Sequence, residues 1–125
     1  MTEFRVLVCG GRNYGSQDGQ LDRLRRTLDA ALDAAQSAGK VAVIIHGNAR
    51  GADLLADQYA REKSIRVLPF PADWNLYGRR AGPIRNKLML TESQPHVIIA
   101  FKGGSGTAHM MKIGREAGVP VVEIE

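Results

Sequence analysis

Cysteine is almost missing from this chain, since Cys9 is its single example. One thiol excludes an internal disulfide framework and any cysteine-based metal site, and it agrees with a reducing compartment. Aromatic side chains are scarce too, with one Trp, three Tyr and three Phe, where sequence-tolerant single-strand binders rely on stacking platforms. No apolar run approaches the roughly 20 residues of a membrane span. The opening MTEFRVLVCGG enters strand-like sequence at once, with no basic n-region, long h-region or small-residue cleavage site. Together these absences predict a cytoplasmic protein. The P-loop pattern, the dinucleotide fingerprint after the first strand and the G-x-S-x-G elbow are all missing. His46, His96 and His109 show neither ligand spacing nor an acidic cluster beside them, so no metal and no resident cofactor is expected.

What is present is ordinary globular material. The chain has 125 residues, 44% hydrophobic and 24% charged, which predicts one domain over residues 1–125 with a real core. Seventeen basic residues against thirteen acidic ones give a formal net charge of +4. That balance favours anionic partners, and the charges are spread along the chain rather than gathered in a tail.

Five short apolar runs read as strands: FRVLVCG (4–10), VAVIIHG (41–47), IRVLPF (65–70), HVIIAF (96–101) and VPVVEI (119–124). Helical patterns lie between them. Leu21, Leu24, Leu28, Leu32 and Ala35 fall at three- and four-residue steps, and Gly39 follows as a terminator. Ala52, Ala56 and Ala60 mark a second helix to Lys63, with a narrow face suited to close packing on a sheet. A third helix is expected from about Pro83, and a fourth from about Ser105 to Ala117 with Met110, Ile113, Gly114 and Ala117 on one stripe. Residues 72–82 read as a long irregular connection. Strict alternation of strand and helix predicts an α/β, Rossmann-like, three-layer fold whose five parallel strands take the order 3-2-1-4-5.

Ligands of such sheets sit beyond the carboxyl ends of the strands, where the strand order reverses. The loops after the strands are accordingly the place to look for chemistry. In KGGSGTA the glycines Gly103, Gly104 and Gly106 allow close backbone approach. Ser105 and Thr107 add hydroxyls, and a helix start there offers unpaired N–H groups to a phosphate. In HGNARGAD, Gly47 and Gly51 shape the turn. Arg50 is an anion ligand or a solvated arginine, and Asp53 binds a ribose hydroxyl or complements a helix dipole. CGGRNYG brings Gly11, Arg12 as a possible anion ligand and Tyr14 as a possible base platform. In PADWNLYGRRAGPIRNK, Trp74 and Tyr77 are candidates to stack on a base, while Arg79, Arg80, Arg85 and Lys87 are candidates to meet phosphates.

The ordered set GGRNYG, HGNARGAD, PADW, AGPIRN and AFKGGSGTA resembles the SLOG superfamily, and within it the small YspA-like, cpYpsA-related branch. The resemblance covers residues 4 to 122. It implies a Rossmann-like domain that takes a nucleotide or nucleotide-derived ligand. It also implies a homo-oligomer, because members dimerise through helices. More distantly the chain is similar to the LOG phosphoribohydrolases, which cleave the base from a nucleoside monophosphate with R-K-x-x-M and P-G-G-x-G-T-x-x-E segments. Arg85 and Met89 match the first segment, with Asn86 in place of its lysine; Gly103, Gly104, Gly106 and Thr107 match the second. Lys102 replaces its proline, and Met110 stands where its catalytic glutamate would be. A thioether neither stabilises an oxocarbenium ion nor activates water.

Three readings follow. The first is a binding module with a phosphate at GGSGT and contacts from Asn86 and the loops above. The second is a nucleotide hydrolase in which Arg85 steadies the anion and Asp53 or Asp73 supplies the carboxylate. The third, taken from DNA-processing members of the superfamily, is a single-stranded DNA binder.

Overall fold

A computed structural model describes residues 2–125. The strands are β1 (Glu3–Cys9), β2 (Val41–His46), β3 (Arg66–Pro69), β4 (Val97–Ala100) and β5 (Val121–Glu123). All pair in parallel, in the order β3-β2-β1-β4-β5. The helices are α1 (Gln20–Ser37), α2 (Ala52–Glu62), α3 (Trp74–Tyr77), α4 (Ala81–Ser93) and α5 (Ser105–Glu116). This is the α/β, Rossmann-like sheet expected from the sequence.

Strand alternation divides the interior into two layers. Val6, Val8, Ile44, Ile99 and Phe101 pack with Leu24 and Leu28 of α1 and with Ala52, Ala56, Tyr59 and Ala60 of α2. Leu7, Cys9, Ile45, Ile98 and Ala100 face the other way, against Met89 and Leu90 of α4 and Met110 of α5. Each central strand is therefore apolar on both faces, as a doubly covered parallel sheet requires. The small residues of α2 are all fully buried, which lets that helix lie close to the strands.

Three details depart from the sequence expectations. Leu21 lies in the first turn of α1 and stays exposed, so the apolar stripe begins at Leu24. Residues 74–80 are not irregular: α3 and a 3-10 turn (Gly78–Arg80) run straight into α4. Asp73 starts this segment by accepting a hydrogen bond from the Leu76 N–H at 3.0 Å. α4 consequently begins at Ala81, two residues before Pro83. The proline remains within the first turn, where its missing N–H costs no helical bond.

β1 and β4 are neighbours, yet their outgoing chains turn to opposite faces, into α1 and into α5. That reversal opens a crevice above their carboxyl ends.

Among the described residues, no helix is long and apolar enough to cross a membrane.

Candidate functional site

The crevice is a cavity of about 700 Å³, within the range of small-molecule sites. Its wall comes from the loop after β1, the loop after β2, α3, α4 and the start of α5. The loops after β1 and β4 and the start of α2 are locked together at its floor. The Gly11 N–H donates to Lys102 O at 3.0 Å, and the Ala52 N–H donates to Gly11 O at 3.2 Å. Gly51 reaches this junction with a φ of +82°, where a side chain would run into the carbonyls of Gly11 and Arg12. Gly103 is equally constrained, because a Cβ there would lie 2.6 Å from the Gly11 nitrogen and collide with the Thr107 hydroxyl.

One residue further, Gly104 is the N-cap of α5 and supplies no side-chain cap. The first helical N–H bond in this region runs from Ala108 to Gly104 O at 3.0 Å. The N–H groups of Ser105, Gly106 and Thr107 have no protein acceptor among the described residues. All three residues line the cavity. A 12-residue helix thus points its uncapped, partially positive end into the crevice.

α4 supplies the opposite wall through Gly82, Arg85, Asn86 and Met89, spaced at three and four residues so that they share a face. Asn86 is buried and its amide donates to Gly106 O at 3.2 Å and to His109 Nδ1 at 3.1 Å. This contact fixes α5 against α4. The Arg85 guanidinium bonds the Asn86 side-chain oxygen at 2.9 Å and the Gly47 carbonyl. Burial holds the pKa of Arg85 below the ordinary arginine value; the carboxylate of Asp53 opposes that shift and the positive charge of Arg12 adds to it.

Asp53, in the first turn of α2, is 5% exposed. Its Oδ2 accepts from the N–H groups of Gly47 at 3.1 Å and Ala49 at 3.3 Å. Burial raises its pKa above the usual carboxyl value, against the lowering effects of the Ala49 hydrogen bond, His46, Arg85 and the Gly47 hydrogen bond. The carboxylate therefore braces the loop after β2, and the residue lines the cavity. Beneath it, His46 is fully buried and accepts the Asn48 N–H on Nδ1 at 2.9 Å. With that nitrogen occupied, Nε2 carries the proton to Asp57 Oδ2 at 2.7 Å. His46 is a structural brace of the same loop.

The remaining residues singled out by sequence fall in different places. Arg12 and Trp74 line the cavity together, with the guanidinium 5.4 Å from the indole ring centre. Gly47 and Arg50 line a second compartment of about 380 Å³. Gly51 lines a cleft outside Arg12, and Gly103 lines another beside it. Tyr14 is packed into the core with its ring 5.1 Å from that of Phe101, and touches these outer clefts rather than the main cavity. Asp73 is exposed, caps α3 and does not line the cavity. Met110 is fully buried in the core, while His109 beside it faces the cavity.

Gly82 and Pro83 line the cavity without having been singled out. The signal for Gly82 was its helical spacing with Arg85 or Asn86 and Met89; Pro83 reads only as a helix start. Cys9 and Ala49 also reach the wall, and nothing in their sequence context distinguishes them from core residues.

Comparison with known proteins places this chain in a family. The model for the "YspA, cpYpsA-related SLOG family" matches residues 4–77. The chain is 35% identical over 126 residues to the Gene 61 protein of Mycobacterium phage D29, covering 94% of each. The C-terminal domain of the PF1911 hydrogenase from Pyrococcus furiosus is similar in fold, with a TM-score of 0.56 at 15% identity over 99% of this chain and 94% of that one. The family match spans the loops after β1 and β2 and reaches α3, all of which wall the crevice. The chain belongs to the YspA, cpYpsA-related SLOG family.

Proposed function

We propose that this protein binds a nucleotide or nucleotide-derived ligand in the crevice, with a phosphate at the N-terminal end of α5. The observation that carries this reading is the set of free N–H groups of Ser105, Gly106 and Thr107 facing a cavity also lined by Arg12, Arg79 and Arg85. Against these three arginines the wall holds one carboxylate, Asp53. An anion there gains charge-assisted hydrogen bonds in a partly dry site. Trp74 at the rim, 48% exposed, offers a flat apolar face for a base.

The arrangement favours holding a ligand over cleaving it. Of the carboxylates, Asp73 is occupied as a helix cap away from the cavity, and Asp53 has one oxygen committed to two backbone donors. Met110 is in the core rather than at the ligand.

A thermal-shift panel of nucleoside mono- and diphosphates tests the reading. A ligand present at a hundredfold excess over its Kd stabilises the fold by about 2.7 kcal/mol, a rise of roughly 10 °C for a domain of this size. Gly104→Phe is the matched control, because a Cβ at Gly104 meets nothing within 4 Å and the fold tolerates it. Its ring adds bulk beside the uncapped N-terminus of α5. The expected result is a shift for the wild type that Gly104→Phe abolishes, with no free base released on chromatography. Absence of any shift across the panel, or a shift unchanged in Gly104→Phe, contradicts the assignment.

A further inference from the structure

His109 is half-buried, lies on α5 and lines the cavity, and its neighbours dictate how its ring can hydrogen-bond. The dictation begins at Arg85, whose guanidinium is only ever a donor. Its Nε donates to Asn86 Oδ1 at 2.9 Å, while the Gly106 carbonyl, only ever an acceptor, lies 3.2 Å from Asn86 Nδ2. With a donor on one side and an acceptor on the other, the buried Asn86 amide has a single orientation. Its nitrogen therefore faces His109 Nδ1, at 3.1 Å. Two N–H groups cannot share that contact, so Nδ1 is the acceptor and the ring proton sits on Nε2. Nε2 makes no hydrogen bond among the described residues.

Helix geometry gives that proton a direction. His109 follows Ser105 by four residues and Gly106 by three, so the three share one face of α5. Side chains on a helix lean toward its N-terminus and cover the turn before their own. The imidazole accordingly lies over the first turn, in agreement with its contact to an Asn86 amide that also bonds Gly106 O. That first turn carries the N–H groups of Ser105, Gly106 and Thr107 that have no protein acceptor among the described residues.

Resting on the phosphate assignment above, we infer that His109 is a further ligand-contacting residue of the crevice, with Asn86 as its positioning residue. His109 donates its Nε2–H to an oxygen of the anion held by the main-chain N–H groups of α5, approaching from the side of the helix rather than along its axis. A protonated Nε2 offers no lone pair, so the ring acts as a donor and not as a base, in keeping with a site that holds its ligand. Asn86 has two tasks: one amide proton fixes α5 through Gly106, and the other fixes the tautomer of His109.

Two measurements on the intact protein test this. Two-bond 1H–15N correlation spectra read the tautomer: the proton is expected on Nε2 in the wild type, and on Nδ1 in Asn86→Asp, whose carboxylate only accepts. A proton on Nδ1 in the wild type, or a tautomer unaltered in Asn86→Asp, overturns the positioning role. Isothermal titration with AMP, GMP, CMP and UMP reads the ligand contact and does not depend on Asn86→Asp folding. His109→Ala should weaken the binding of whichever nucleotide the wild type takes by about tenfold or more, as expected for one hydrogen bond to a charged group. His109→Gln, which carries an N–H at similar reach, should recover part of the loss. Unchanged affinity in His109→Ala, or equal losses in the two variants, overturns the contact while leaving the phosphate assignment standing. Binding of none of the four nucleotides by the wild type overturns the phosphate assignment itself, and the contact with it.

Discussion

Replacing Asp53 separates its role as a hydrogen-bond acceptor from its charge. Its Oδ2 satisfies the Gly47 N–H at 3.1 Å and the Ala49 N–H at 3.3 Å. Gly47 is buried and Ala49 is half-buried, so Asp53→Ala orphans one donor that water does not reach and one that it partly reaches. A buried orphaned donor costs about 1–3 kcal/mol, and the expected loss for Asp53→Ala is of that size, roughly 5–10 °C in melting temperature. Asp53→Asn keeps an acceptor oxygen for both N–H groups and puts its amide nitrogen in the place of Oδ1, which accepts no hydrogen bond among the described residues.

The charge acts in the opposite direction. Because burial raises the folded pKa of Asp53 above its unfolded value, the native state holds more protons in the window between the two. Stability therefore falls as pH rises through that window. Asp53→Asn removes this penalty together with the attraction to Arg85, leaving stability within about 1 kcal/mol of wild type and a flatter profile above pH 4. Urea unfolding of the three proteins between pH 4 and pH 8 measures both effects. If Asp53→Asn proves as unstable as Asp53→Ala, the loop is held by charge and the acceptor argument is wrong.

Two further outcomes follow from close contacts. Gly103→Ala should destabilise the fold by about 3 kcal/mol or more, since its Cβ would fall 2.6 Å from the Gly11 nitrogen and against Thr107, whereas Gly104→Ala should unfold at the wild-type urea midpoint within about 0.5 kcal/mol. Comparable losses at both positions would refute the packing assigned to the two loops. The thiol of Cys9 is pushed up to about 12, first by burial and then by the nearby charge of Asp53, so native protein at pH 8 should react with a thiol reagent only as fast as it opens. A rate matching that of the urea-unfolded chain would show the thiol to be accessible.

The legible part of this molecule was the part governed by short-range repetition. Short apolar runs located all five strands, and the four-residue steps of Ala52, Ala56 and Ala60 identified a helix that packs close to the sheet. The 74–80 segment was hidden because none of its residues is buried and it shows no amphipathic period. Glycine-rich loops at strand ends pointed to the segments that line the crevice. Contacts such as Arg85 to the Gly47 carbonyl join residues 38 apart in sequence, and no local pattern encodes them. The same holds for Asp53, whose residue type suited a ribose ligand, a dipole partner or a base equally well. Its role as a loop brace emerges only when α2 is placed beneath residues 47–49. For Met110 and His109 the helical period decides: one step of about 100° separates a core side chain from one facing the cavity.

The most direct test of the central claim is a crystal structure of the protein saturated with a nucleoside diphosphate. The account requires a phosphate within hydrogen-bond distance of the Ser105, Gly106 and Thr107 N–H groups. A nucleotide bound elsewhere on the molecule, or a crevice left empty at saturating concentration, would contradict it.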